Sequence, residues 1–236
     1  MRPERKRSDE SVEEFKRAAS YRAADLVRDG MVVGLGSGST ARYAILRVAD
    51  RLRRNELRDV VAIPTSEETA RLARRGGIPL STLDDYAHLD LTIDGADEVD
   101  PQLNVIKGLG GCLLREKIVA FATAKEIIVV DHSKLVQTLG TRGPLPVEVI
   151  RFGWRHTRTA LAKTGAQAIL RETGGEPYVT DEGNYIIDCT YEGIESPRAL
   201  TAALNAIPGV VENGLFLGVV DMVVVGSPSG VTILER

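Results

Sequence analysis

Met31-Val32-Val33-Gly34-Leu35-Gly36-Ser37-Gly38-Ser39-Thr40-Ala41 decides the fold. A short apolar run ends in alternating glycines and hydroxyl residues, and Ala41, Ala44, Ile45, Val48 and Leu52 then recur at helical spacing. The stretch reads as a buried strand over residues 31–35, a tight glycine turn and a helix. In front of it, Ser11 with Glu14 matches a capping box. Val12, Phe15, Ala19, Ala23, Leu26 and Val27 then line one helix face until Asp29-Gly30 stops it. Helix, strand, glycine loop and helix, in that order, open an α/β layered fold.

The alternation continues outward. A strand is expected over 60–63, a helix from Thr65 with Glu68 three residues on, an apolar stretch at 78–80 and a strand over 89–93. A helix near 113–124 follows, and 127–130 is a continuous apolar run of the kind buried on both faces of a parallel sheet. After Gly143-Pro144-Leu145-Pro146 the pattern changes. Strand 147–150, helix 155–163, strand 166–171, a turn at 181–184, strand 185–189, helix 196–206 and strand 210–216 spell βαββαβ. The last apolar segment, 221–225, is expected to rejoin the first sheet. The fold class is therefore α/β, with a Rossmann-like layered domain over 1–143 and 217–236. A smaller ferredoxin-like α/β domain is inserted over 144–216.

Composition narrows the function. The chain has 236 residues, enough to bury a sizeable core, and no apolar run near the roughly 18 residues that a membrane span requires. Thirty basic residues against thirty-three acidic ones give a net charge of −3, which argues against a nucleic-acid partner. Cys112 and Cys189 form no CxxC pair, and His88, His132 and His156 lack metal-ligand spacing. The expectation is a reduced cytoplasmic protein with no metal and no cofactor. The basic start, Met1-Arg2-Pro3-Glu4-Arg5-Lys6-Arg7, has no secretory apolar stretch and reads as a frayed tail.

Three segments fall at predicted strand ends or helix starts, where open α/β sheets place ligands. In the first, the backbone of Gly36, Gly38, Ser39 and Thr40 and the hydroxyls of Ser37, Ser39 and Thr40 suit a phosphate. No lysine precedes Ser39 or Thr40 as a Walker A loop requires, and a serine stands where a dinucleotide fingerprint has its third glycine. The competing reading is a structural turn capped by Ser39 or Thr40.

The second segment, Asp94-Gly95-Ala96-Asp97-Glu98-Val99-Asp100, packs carboxylates that can bind sugar hydroxyls or cations, although the spacing is not that of an EF-hand. A solvated acidic loop is the alternative. In the third, Lys107 precedes Gly108-Leu109-Gly110-Gly111, and Glu116 follows between Arg115 and Lys117. From spacing alone, Glu116 reads more readily as an ordinary helix-surface acid. Lys134, in Asp131-His132-Ser133-Lys134, is open to both readings; His132 reads as a loop residue, and Cys112 and Trp154 as packing.

Together the segments resemble type A ribose-5-phosphate isomerases. The likeness lies in GLGSGST at 34–40, TIDGADEVD at 92–100, KGLGGCLLREK at 107–117, HSK at 132–134, PLPVEVI at 144–150 and NAIPGVVENGLF at 205–216. It spans nearly the whole chain after about the first ten residues. The resemblance implies interconversion of D-ribose 5-phosphate and D-ribulose 5-phosphate through an enediolate, in the non-oxidative pentose phosphate pathway, by a homodimer or homotetramer. It makes Glu116 the general base, Lys107 the partner of the developing oxyanion and Asp94 an aid to ring opening.

Ser37, Gly38, Ser39, Thr40, Asp94, Gly95, Ala96, Asp97, Lys107, Gly108, Leu109, Gly110 and Lys134 are then substrate-binding, and Lys16 is a further candidate for the phosphate. Ser37 stands where threonine is frequent, and Leu109 interrupts a run that often holds a third glycine. Two other readings use the same fold. One is the ligand-sensing module of a sugar-phosphate-responsive repressor, for which the segment before the first strand is short and weakly basic. The other is a coenzyme A transferase, in which the glutamate would be a nucleophile.

Overall fold

The computed structural model describes residues 3–236. Helix α1 (Pro3–Ala24) leads into β1 (Val32–Leu35), α2 (Ala41–Arg53), β2 (Val61–Pro64), α3 (Glu67–Arg75) and β3 (Leu91–Gly95). Short strands β4 (Glu98–Val99) and β5 (Val105–Ile106) precede α4 (Leu113–Phe121), β6 (Glu126–Asp131) and a 3-10 turn at His132–Lys134. Next come β7 (Leu145–Val149), α5 (Trp154–Ala162), β8 (Gln167–Leu170), β9 (Glu172–Thr173), β10 (Glu176–Pro177) and β11 (Tyr185–Thr190). The chain ends with α6 (Pro197–Asn205), β12 (Val210–Asn213), β13 (Leu215–Phe216), β14 (Met222–Ser227) and β15 (Gly230–Glu235).

These elements form two compact units. The first holds the chain up to Gly95, with 118–134 and 219–236; the second holds 96–117 and 135–218. In the first, a six-stranded sheet runs β15-β14-β6-β3-β1-β2, parallel except for β15. From β1 the chain steps to β2 on one side and then to β3 on the other. The C-terminal ends of β1 and β3 therefore flank a topological switch point, the usual ligand crevice of such sheets. Ile127, Ile128, Val129 and Val130 are all buried, as a strand covered on both faces requires. Ala19 and Ala23 on α1 join this core, and a side chain at Gly226 of β14 would strike the Phe15 backbone.

The second unit carries an antiparallel sheet in the order β12-β7-β11-β8. That is the ferredoxin-like order expected for βαββαβ, with a core of Leu145, Val147, Val149, Leu161, Ile187 and Leu204. A three-stranded sheet, β13-β5-β4, belongs to the same unit.

Several expectations change. The second unit is larger than 144–216, because β4 and β5 pair with β13 and draw 96–117 and 135–143 into it. The single strand expected over 210–216 breaks at Gly214, where a side chain would collide with the Lys107 carbonyl, and its two halves enter different sheets. Strands β9, β10 and β15 were not expected. Pro3 to Arg7 belong to α1 and not to a frayed tail, and the helix begins before Ser11. Proline is accepted in a first helical turn, and Glu, Arg and Lys favour the helix that follows. Met1 and Arg2 lie outside the described residues. Ser66, not Thr65, caps α3: its hydroxyl accepts from Thr69 N at 3.0 Å.

Candidate active site

The first unit builds the glycine turn against the end of β3. Gly36 N donates to Ile93 O at 2.9 Å, and a side chain at Gly36 would land on the Asp94 carboxyl and Cα. Asp94, 1 % exposed, accepts from Ser37 N at 3.0 Å and Gly95 N at 2.7 Å. Its carboxylate thus fixes the turn. Gly38 adopts φ +97°, with nothing near where a side chain would stand.

The amides of Gly38, Ser39 and Thr40 and the Thr40 hydroxyl make no hydrogen bond within the described residues. Neither Ser39 nor Thr40 caps α2 with its side chain, which removes the structural reason for those hydroxyls. What remains is a helix start with several donors aimed outward, a ready site for an anion. Lys16 on α1 adds a cation, its Nζ 3.3 Å from Ser39 Oγ and 2.8 Å from Glu13.

Ser37 differs from its neighbours. Its hydroxyl lies 2.8 Å from Thr65 Oγ1, 2.8 Å from Ser66 Oγ and 3.1 Å from Thr69 Oγ1. Thr65 and Thr69 give their own hydroxyl protons to the Leu35 and Gly36 carbonyls, so the cluster ties the turn to the end of β2 and the start of α3. The Thr65, Ser66 and Thr69 cluster was not anticipated, because it is spread over the end of β2 and the start of α3. Lys134 closes the 3-10 turn after β6, next to β3 in the sheet, and His132 packs its ring edge-on to Phe15 at 5.7 Å.

The acidic segment divides by role, and it is not a solvated loop. In the second unit Glu98, 1 % exposed, accepts from the amides of Gly140, Arg142 and Gly143 and pins that loop. Asp100 accepts from the Gln102 and Asn104 amides and from the Asn104 side chain. Asp97 accepts from Leu109 N at 3.0 Å, and Ala96 is half-buried beside it in sequence. Among the described residues no group of three or more His, Cys, Asp and Glu side chains is placed to hold a metal ion.

The second unit also brings Lys107 and Glu116 together. Lys107 Nζ is 3.2 Å from Glu116 Oε1, and both residues are buried. The helix-surface reading of Glu116 is therefore corrected: Arg115 turns to Asp181 and Glu182 while Glu116 faces inward. Phe216 lies beneath two cations, its centroid 5.6 Å from Lys107 Nζ and 4.9 Å from Lys117 Nζ. Burial holds the Lys117 ammonium below the usual lysine range against the opposing pull of Glu212, 2.8 Å away. A buried ion pair is costly to desolvate and is weak evidence of stabilisation, so its persistence at the start of α4 points to chemistry.

The glycine run has its own supports. Gly108 has φ +104° and Gly111 φ +84°, whereas Leu109 is not among the positive-φ residues, so a side chain fits there. A side chain at Gly111 would collide with Tyr178. Arg171, which the sequence did not single out, donates through Nη1 to the carbonyls of Gly108 at 2.9 Å and Leu109 at 3.0 Å.

The ribose 5-phosphate isomerase A (phosphoriboisomerase A) family model matches residues 61–230. A ribose-5-phosphate isomerase A of Gloeobacter violaceus is 54% identical over 221 residues, covering 93% of this chain and 95% of that protein. Its counterpart in Roseiflexus castenholzii is 51% identical over 222 residues, covering 94% and 95%. A solved D-ribose-5-phosphate isomerase in complex with phospho-erythronic acid superposes with a TM-score of 0.93 at 42% identity, covering 95% of this chain and 99% of the other. Identity at this level, over nearly the full length of both partners, leaves one conclusion: the chain belongs to the ribose 5-phosphate isomerase A family.

Proposed function

We propose that this chain interconverts D-ribose 5-phosphate and D-ribulose 5-phosphate through an enediolate, with Glu116 as the general base. As a member of its family it is an aldose–ketose isomerase of the pentose phosphate pathway. The reaction moves one proton from C2 to C1 and one hydroxyl proton from O2 to O1, so a single carboxylate can collect and return the carbon-bound proton. Glu116 is suited to this because it is buried beside Lys107, whose charge can transfer its attraction to the oxygen that becomes negative as the C–H bond breaks. That buried pair is the observation that carries the reading.

The phosphate goes to the outward-facing donors of Gly38, Ser39 and Thr40, with Lys16 and Lys134 as cations of the same unit. Asp94 exchanges a proton with the sugar oxygens during ring opening. Asp97 and the 107–110 segment bind the sugar hydroxyls. A relative's complex with phospho-erythronic acid, a phosphorylated sugar acid, supports a sugar-phosphate ligand. The resemblance further supports a cytoplasmic homodimer or homotetramer; no helix among the described residues is long and apolar enough to cross a membrane.

The test is to mix purified protein with ribose 5-phosphate and follow ribulose 5-phosphate. Product formation is expected. Binding without turnover would return the sensing-module reading, and an acyl-enzyme trapped from an acyl-CoA would favour the transferase.

A further inference from the structure

We infer that Arg171, held by Asp188, is a positioning residue for the isomerisation, acting through the peptide between Leu109 and Gly110. This rests on the reading that the 107–110 segment meets the substrate.

Arg171 follows β8, and its guanidinium faces two ways. Nε and Nη2 fork onto the two carboxylate oxygens of Asp188 on β11, with Nε 2.9 Å from Oδ2. Nη1 is thereby turned to the carbonyls of Gly108 and Leu109. The planar fork can make these contacts at once because its donors are rigidly disposed, which a lysine cannot reproduce. Tyr178 completes the support: its ring centroid is 5.8 Å from the guanidinium, and its hydroxyl is 3.4 Å from Gly110 O.

The consequence lies in the peptide planes. Among the described residues no peptide bond is cis, so the Leu109 carbonyl and the Gly110 N–H point in opposite directions. The preceding plane is held at both ends, its carbonyl by Arg171 and its N–H by Asp97. Fixing the Leu109 carbonyl on Arg171 aims the Gly110 N–H away from it, and that N–H donates to nothing within the described residues. A cation on the carbonyl also polarises the amide, strengthening it as a donor. Arg171 thus presents an oriented donor for charge that develops on a sugar oxygen, three residues after Lys107.

The experiment compares Arg171→Lys and Arg171→Ala with the parent, measuring kcat, KM for ribose 5-phosphate and the folded fraction by circular dichroism. Loss of an oriented donor lowers kcat by roughly tenfold to a hundredfold. KM should rise by less than about threefold, since the phosphate is bound elsewhere. Arg171→Lys keeps the charge opposite Asp188, so it should fold as the parent does and still lose kcat. Unchanged kcat in both variants, a loss confined to KM, or a loss that only tracks the folded fraction overturns the inference. Glu116→Gln measured alongside separates the two claims: if it keeps parental turnover, the site reading itself fails. If it is inactive while both Arg171 variants run at the parental rate, only the role of Arg171 fails.

Discussion

A carboxylate whose Oε1 lies 3.2 Å from a buried ammonium still has a second oxygen that can take a proton from carbon. Glu116→Gln removes the base yet leaves an amide oxygen for Lys107, so the fold should persist. Turnover should fall by about a hundredfold to ten-thousandfold. Binding of phospho-erythronic acid, followed by calorimetry, should change little; near-parental turnover in the purified variant would remove Glu116 from the mechanism. Thr40 poses a cleaner question, because its hydroxyl has no partner within the described residues and caps nothing. Thr40→Val should raise KM for ribose 5-phosphate and weaken competition by inorganic phosphate. If both stay at parental values, the turn is only structural. At this scale the sequence was legible where the local pattern sets the backbone, as in the glycine turn between β1 and α2. It was not legible where role depends on which way a side chain turns. Nothing local distinguishes Glu116, buried against Lys107, from Arg115, paired with Glu182, and nothing local shows that Thr65, Ser66 and Thr69 gather around the Ser37 hydroxyl.

The glycine turn shows how two neighbouring strands constrain one position. β1 and β3 pair with Leu35 opposite Ile93, so the residues that follow these two meet, and Gly36 has no room for a side chain over Asp94. At Gly38 the space is open and only φ +97° resists substitution. Gly36→Ala must displace backbone and a buried carboxylate, an overpacking cost of about 1–3 kcal/mol, on top of which the turn loses its shape. Gly38→Ala pays mainly conformational strain, of order 1–2 kcal/mol. Thermal unfolding should place Gly36→Ala below Gly38→Ala, with roughly 2–4 °C for each kcal/mol in a chain of this size. The reverse order would show that the two strands tolerate wider spacing than their register implies. α2 was readable because burial of one face imposes a repeat on it, and β6 because burial on both faces makes it a continuous apolar run. β4, β5 and β13 are two residues long and carry no repeat, and β15 is mostly exposed along its length, so no face marks it.

Unit boundaries follow contacts between residues far apart in the chain, such as Val105 of β5 with Phe216 of β13, and such contacts leave no local signature. The βαββαβ order was legible, but the recruitment of 96–117 to that unit was not. One contribution to the chain's response to pH comes from a buried carboxyl within the 144–150 segment. Glu148 on β7 is 1 % exposed, and burial pushes its carboxyl above the ordinary 4.5. Nearby Glu182 and Glu212 add to the rise, while hydrogen bonds from Thr180 and Asn184, both 2.9 Å from Oε1, oppose it. Between 4.5 and the raised value, the folded state holds more protons than the unfolded one. The contribution to stability is therefore complete below about 4.5 and is lost as pH rises through the folded pKa. Glu148→Gln keeps an oxygen for Thr180 and Asn184 and cannot ionise. Its unfolding midpoint should match the parent near pH 4.5 and exceed it at pH 8, by roughly 2–4 °C for each kcal/mol recovered. A variant less stable than the parent at pH 8 would mean that the ionised carboxylate is an asset to the sheet, and that its hydrogen bonds outweigh the desolvation that burial imposes.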